Sequence, residues 1–132
     1  MGRIKISSAK AKGRNLQKWA CEKISELLAI SWGFEDDKLI QPRLMGQSGT
    51  DVILRGDAYN KFNFDIECKS TEKISLYKDI EQARNNTREG RNWLLIHKRN
   101  RSKPIIILDA QVFFDILFLI KEGKNDKEDK DK

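Results

Sequence analysis

The chain has 132 residues, 39% hydrophobic and 35% charged, with a formal net charge of +6. That length supports one core rather than two, and no apolar run approaches the ~20 residues that span a bilayer. One histidine and two distant cysteines, Cys21 and Cys68, make no zinc ligand set at usual spacings.

Residues 1–11 read as a basic, flexible arm. Residues 1–14 contain no apolar stretch of the secretory kind, so a cytoplasmic location is expected, that of the host if a phage encodes the chain. Leu16, Trp19, Ala20, Ile24, Leu27 and Leu28 then recur at helical spacing and predict a helix over residues 12–30. A polar loop leads to a short strand over residues 39–43. The turn-rich stretch Met45-Gly46-Gln47-Ser48-Gly49-Thr50 opens into a second strand, Asp51-Val52-Ile53-Leu54. A helical turn over residues 58–61 precedes the alternating run Phe62-Asn63-Phe64-Asp65-Ile66-Glu67-Cys68-Lys69.

Beyond it, Ser75 is placed to cap a helix ending near Asn86. Residues 93–98 and 105–108 read as strands, with His97 an ordinary strand residue. Asp109 can cap a last helix running to residue 120. Residues 121–132 carry five lysines against five acidic residues and no apolar side chain, a composition that predicts a disordered tail. The expected architecture is an α/β fold with a central mixed sheet of four to five strands flanked by helices, residues 12–120 forming a single domain.

The chemistry concentrates in the alternating run. Successive strand side chains point to opposite faces, so Phe62, Phe64, Ile66 and Cys68 line one side and Asn63, Asp65, Glu67 and Lys69 the other. Two acids and an ammonium on the polar face of a half-buried strand can hold a divalent cation beside a phosphate. Hard cations such as magnesium take oxygen ligands. Asp51 and Glu67 supply carboxylates from adjacent strands, and the Cys68 carbonyl a further oxygen. Lys69, ~7 Å further along the same face, can orient water or offset developing charge. The positive charge also falls in clusters: an N-terminal set ahead of Glu22, the first acidic residue, then Arg84/Arg88/Arg91 and Lys98/Arg99/Arg101/Lys103. Such clustering suits a polyanionic partner.

With Gly49-Thr50-Asp51 followed by Ile66-Glu67-Cys68-Lys69, the chain resembles the PD-(D/E)XK nucleases, and in particular archaeal-type Holliday junction resolvases and related small phage endonucleases. Lys12-Gly13-Arg14-Asn15-Leu16-Gln17 is similar to the opening helix of that group, and Arg43-Leu44-Met45-Gly46-Gln47-Ser48 to its loop before the catalytic aspartate. The resemblance implies a restriction-endonuclease-like fold and metal-dependent hydrolysis of branched DNA by a homodimer. It implies magnesium, with manganese able to substitute, at Asp51, Glu67 and Cys68, and catalytic roles for Lys69, Ser48, Gln17 and Gln82. Gln17 stands where archaeal relatives usually carry a glutamate, which weakens the expectation of a second metal ion. Phosphate contacts are expected from Lys10, Lys12, Arg14, Arg43, Arg99, Arg101 and Lys103. Two alternatives are a nicking or restriction-like enzyme acting on duplex DNA, and a non-catalytic DNA-binding module with a degenerate nuclease fold.

The last helix presents Val112, Phe113, Ile116, Leu117 and Ile120 on one side and Phe114 and Phe118 on another. One side closes the core. The second is either buried within the monomer or covered in a symmetric dimer.

Overall fold

The computed structural model describes residues 6–43 and 48–130. Among these residues it is an α/β fold of four helices and five strands in two sheets. The helix α1 (Ile6–Leu28) turns Leu16, Ala20, Cys21 and Ile24 inward, the spacing of one helical stripe. It stops where Ala29 takes a left-handed φ of 57° and the Ile30 amide donates back to the Ser25 carbonyl, a Schellman-type closure.

β1 (Ile40–Pro42) pairs antiparallel with β2 (Val52–Leu54), placing Ile40 opposite Leu54. The short α2 (Gly56–Lys61) delivers the chain to β3 (Phe64–Ser70). α3 (Leu76–Asn86) crosses over to β4 (Asn92–Lys98), which lies parallel to β3, and β5 (Ile105–Ile107) returns antiparallel to β4. A parallel pair requires such a crossover. Leu16, Ala20, Cys21, Ile24, Ile40, Val52, Leu54, Ile66, Leu94 and Ile96 form the core between α1 and the strands. By strand alternation, Asp65, Glu67, Leu95 and His97 lie on the opposite sheet face, the one α3 covers with Ile80 and Ala83.

Three expectations are corrected here. The strands form a two-stranded and a three-stranded sheet rather than one sheet of four or five. They are tied by the Asp51 amide, which donates to the Ile66 carbonyl at 2.9 Å. The next amide on that edge of β3, Cys68, is taken by the Asp51 side chain, so no ladder of main-chain bonds develops between the sheets.

Secondly, helix replaces the expected arm from Ile6, since Ala9-Lys10-Ala11-Lys12 are good helix formers; residues 1–5 lie outside the described residues. Thirdly, α4 (Ala110–Lys130) continues through most of the expected tail, whose lysines and glutamates also favour helix. Asp109 caps α4 as expected, its Oδ1 accepting from the Gln111 and Val112 amides at 2.9 and 3.3 Å. Ser75 holds the N-cap position of α3 without a side-chain cap bond. Among the described residues, no helix is long and apolar enough to cross a membrane.

Candidate active site

Asp51 stands at the seam between the two sheets. Gly49 precedes it with a φ of 109°, a left-handed turn suited to glycine, and the Thr50 hydroxyl donates to the Val52 carbonyl. The Asp51 carboxylate is 3% exposed and held at both oxygens. Oδ2 accepts from the Cys68 amide at 2.7 Å, and Oδ1 accepts from Arg43 Nη2 at 2.7 Å. Because a strand residue points its N–H and C=O to the same edge, the Cys68 carbonyl also lies on the Asp51 side of β3.

Glu67 is equally buried. Its Oε2 accepts from Asn86 Nδ2 at 3.3 Å, and Lys69 Nζ lies 3.8 Å from Oε1, an ionic contact rather than a hydrogen bond. Burial pushes the Glu67 carboxyl above its ordinary pKa, and the Asp51 charge pushes it further, against the pull of Asn86 and Lys69. Burial raises Asp51 too, opposed by the Cys68 amide, Arg43 and Lys69. Two buried carboxylates, one of them pushed up by the other's charge, form a donor pair that a cation would relieve.

The donor set fits a hard divalent ion: two carboxylates and one main-chain carbonyl, leaving positions for water and phosphate. Among the described residues, no three His, Cys, Asp or Glu side chains converge on a common metal position.

Asp65, expected beside Glu67 on an open polar face, is not available as a ligand. It is 1% exposed and accepts bonds from the Arg88 amide, Nε and Nη2 and from Arg91 Nε, at 2.8 to 3.1 Å. Burial alone would raise the Asp65 carboxyl, but the Arg88 and Arg91 bonds outweigh it and hold the group below its ordinary pKa. The fork in turn raises Arg88. Arg91 also donates to the carbonyls of Tyr59, Phe62 and Phe64 and lies over the Tyr59 ring. Two members of the Arg84/Arg88/Arg91 cluster thus hold the fold together, and Arg84 stacks over Trp93.

Arg43, expected at a phosphate, is instead bound to Asp51. With Ser48, Gly49, Thr50, Asn86 and Arg88 it lines an open cleft of about 200 Å³ beside the carboxylates. Ser48 is exposed at this cleft; residues 44–47 of its loop lie outside the described residues. Gln17 is half-buried on α1, one turn before Ala20 and Cys21, and the hydrogen bonds to the two carboxylates come from Arg43, Cys68 and Asn86 rather than from it. Gln82 is exposed one turn before Asn86 on α3. Asn86 is the site residue that sequence reasoning passed over; its spacing of four from Gln82 is the signal that would have found it.

Lys12, Lys98 and Asn100 line a second cavity, about 390 Å³, with Asn15, Trp19 and Ser70. α1 and the β4–β5 turn are therefore brought together at the C-terminal ends of β3 and β4, just past Lys69. Lys10, Arg14, Arg101 and Lys103 are exposed, and Arg99 pairs with Glu72 at 3.9 Å. No family model, curated protein or solved structure matches the chain.

Proposed function

We propose that this chain is a magnesium-dependent, structure-selective DNA endonuclease of the restriction-endonuclease-like kind, acting as a homodimer on branched DNA such as four-way junctions. The observation that carries this reading is the buried pair of Asp51, just ahead of β2 at the seam, and Glu67 on β3, with Lys69 beside Glu67 and the Cys68 carbonyl on the Asp51 edge. Magnesium, when bound, supplies Lewis acidity at the scissile phosphate. Asp51, Glu67 and the Cys68 carbonyl would hold it. Arg43 can pass from Asp51 Oδ1 to a phosphate oxygen, which leaves Oδ1 open to a cation.

Hydrolysis joins a water oxygen to phosphorus as the bridging P–O bond breaks, and the proton passes to the leaving oxygen through solvent. Lys69 is the group placed to hold that water and to offset the charge that grows on phosphorus. Gln17 and Gln82 are neutral amides suited to water or phosphate rather than to the ion. Lys10, Lys12, Arg14 and the basic β4–β5 turn furnish phosphate contacts, so binding is steeply salt-dependent and selects branch shape over base sequence.

Cleavage of a four-way junction with magnesium, beside flap and linear duplex substrates, tests the reading when wild type is compared with Glu67→Ala and Lys69→Ala. Preferential junction cleavage lost in both variants is expected; equal cutting by all three removes the site assignment. The Arg43–Asp51 pair and the amide at Gln17 favour one rival, a DNA-binding module without catalysis. On that reading wild type cuts no DNA and magnesium leaves binding unchanged.

A further inference from the structure

α4 carries an apolar surface that the chain itself does not cover. From Val112 to Ile120 the single polar side chain is Asp115, and at 100° per residue the others point around the whole helix. Val112 and Ile116 are half-buried, whereas Phe113, Phe114, Leu117, Phe118, Leu119 and Ile120 remain 44% to 66% exposed. A helix apolar all round belongs inside a protein. α4 nevertheless rests against no other element to the extent that α1 or α3 does. Only Leu108 and Asp109 separate it from β5, and the Asp109 cap fixes its direction of departure.

The same chain has an apolar groove of about 290 Å³ on the sheet face beside α1. Ile24 and Leu27 form one wall, Ile66, Leu94 and Ile96 the floor, and Ile106 the other wall. Leu27 and Ile106 are 70% and 53% exposed. α1 covers the β3 side of this face, and among the described residues no second helix packs to a comparable extent on the β4–β5 side, where a layered α/β unit would use one to bury its sheet.

We infer that α4 of one copy lies in this groove of a second copy, and reciprocally, forming a twofold dimer by helix exchange. The sizes agree. Counting ~150–250 Å² for each aromatic side chain, the exposed fractions on α4 and β5 amount to roughly 700–900 Å² of apolar surface. A standard interface buries ~800 Å² per partner, and the largest apolar patch on a typical monomer is ~300–600 Å². Exchange leaves the two α4 helices beside the twofold axis, where their remaining faces meet, so that both sides of an all-round apolar helix are buried.

The inference rests on the homodimer of the proposed function and gives it an interface; because its test uses neither DNA nor metal, its failure would leave the assignment of Asp51, Glu67 and Lys69 standing. Light scattering after size-exclusion chromatography of the full chain is expected to give twice the single-chain mass of 15.4 kDa. Phe114→Asp/Phe118→Asp, and separately the groove variant Leu27→Asp/Ile106→Asp, are expected to halve that mass with far-ultraviolet circular dichroism retained. Mixing an Ile106→Cys chain with a Phe118→Cys chain under oxidation should link the two different copies. A wild-type mass of one chain overturns the exchange. So does a dimer that survives the groove substitutions, or an Ile106→Cys/Phe118→Cys double variant that closes its disulfide within one chain.

Discussion

Replacing Asp65 by asparagine keeps the shape of a fully enclosed side chain and removes its charge from between two guanidinium groups. Arg91, 3% exposed at its side chain, is left as an uncompensated buried cation. Breaking a pair of that kind costs ~3–5 kcal/mol. Arg91 retains three carbonyl acceptors and the Tyr59 ring, which holds the loss near the lower end. The Arg88 arm is 41% exposed and adds ~0–1 kcal/mol. The expected loss is therefore about 3–4 kcal/mol out of the ~5–15 kcal/mol typical of a domain. In urea the midpoint should fall by about 2 M at an m-value near 1–3 kcal/mol/M.

The pH dependence of the same variant is a separate check. Asp65 has a lowered folded-state pKa, so its contribution is present above the unfolded value of ~3.9 and is lost as pH falls through the folded one. The gap between wild type and Asp65→Asn should be constant from pH 7 to pH 5 and narrow below about pH 4. A loss under about 1 kcal/mol at pH 7 would refute the buried-fork argument, as would a gap that fails to narrow in acid.

Asp51 and Glu67 have the opposite sign. Their raised pKa values mean that the folded state binds more protons than the unfolded above the ordinary carboxylate range. Metal-free stability should fall as pH rises through the raised values, and Glu67→Gln should flatten that decline in thermal melts recorded at several pH values. Magnesium at a hundredfold excess over its dissociation constant should stabilise wild type by ~2.7 kcal/mol and leave the melting temperature of Asp51→Asn unmoved; an equal shift in both places the ion elsewhere. Ala29→Gly, which relieves a left-handed alanine after α1, should stabilise by ~0.5–1 kcal/mol in chemical denaturation. Burial raises the Cys68 thiol and pushes Cys21 up to about 12. Neither should react with iodoacetamide in the native state at pH 8, and both should react once urea unfolds the chain.

The alternation through residues 62–69 correctly predicted which side chains of β3 share a face, because the period of two is a local property of the strand. What covers each face is not local. The charges of Asp65 and Glu67 read as a solvated surface until Arg88, Arg91 and Asn86, about 20 residues away, arrive to satisfy them. For the same reason Arg88 and Arg91 read as a basic patch: their sequence neighbours give no sign of the carboxylate they enclose. The turn at Gly49 and the cap at Asp109 were legible, since each depends on a few adjacent residues. The division into two sheets was not, because it follows from a single side chain occupying an edge amide. The all-round apolar character of residues 112–120 was visible from the start, whereas the exposure of most of those side chains was not, because it depends on what the rest of the chain leaves uncovered.

The Asp51 carboxylate occupies the position along β3 at which a neighbouring strand would offer a peptide oxygen. Position and charge at the proposed metal site are therefore separable by mutation. Asparagine keeps an amide oxygen for Cys68 N–H while abolishing the negative charge. Alanine strands that amide among buried atoms, at a cost of ~1–3 kcal/mol. Inactivity in Asp51→Asn would thus report on the lost charge and its Arg43 contact with the seam intact, whereas inactivity in Asp51→Ala would mix a chemical deficit with a seam between the two sheets that has come loose.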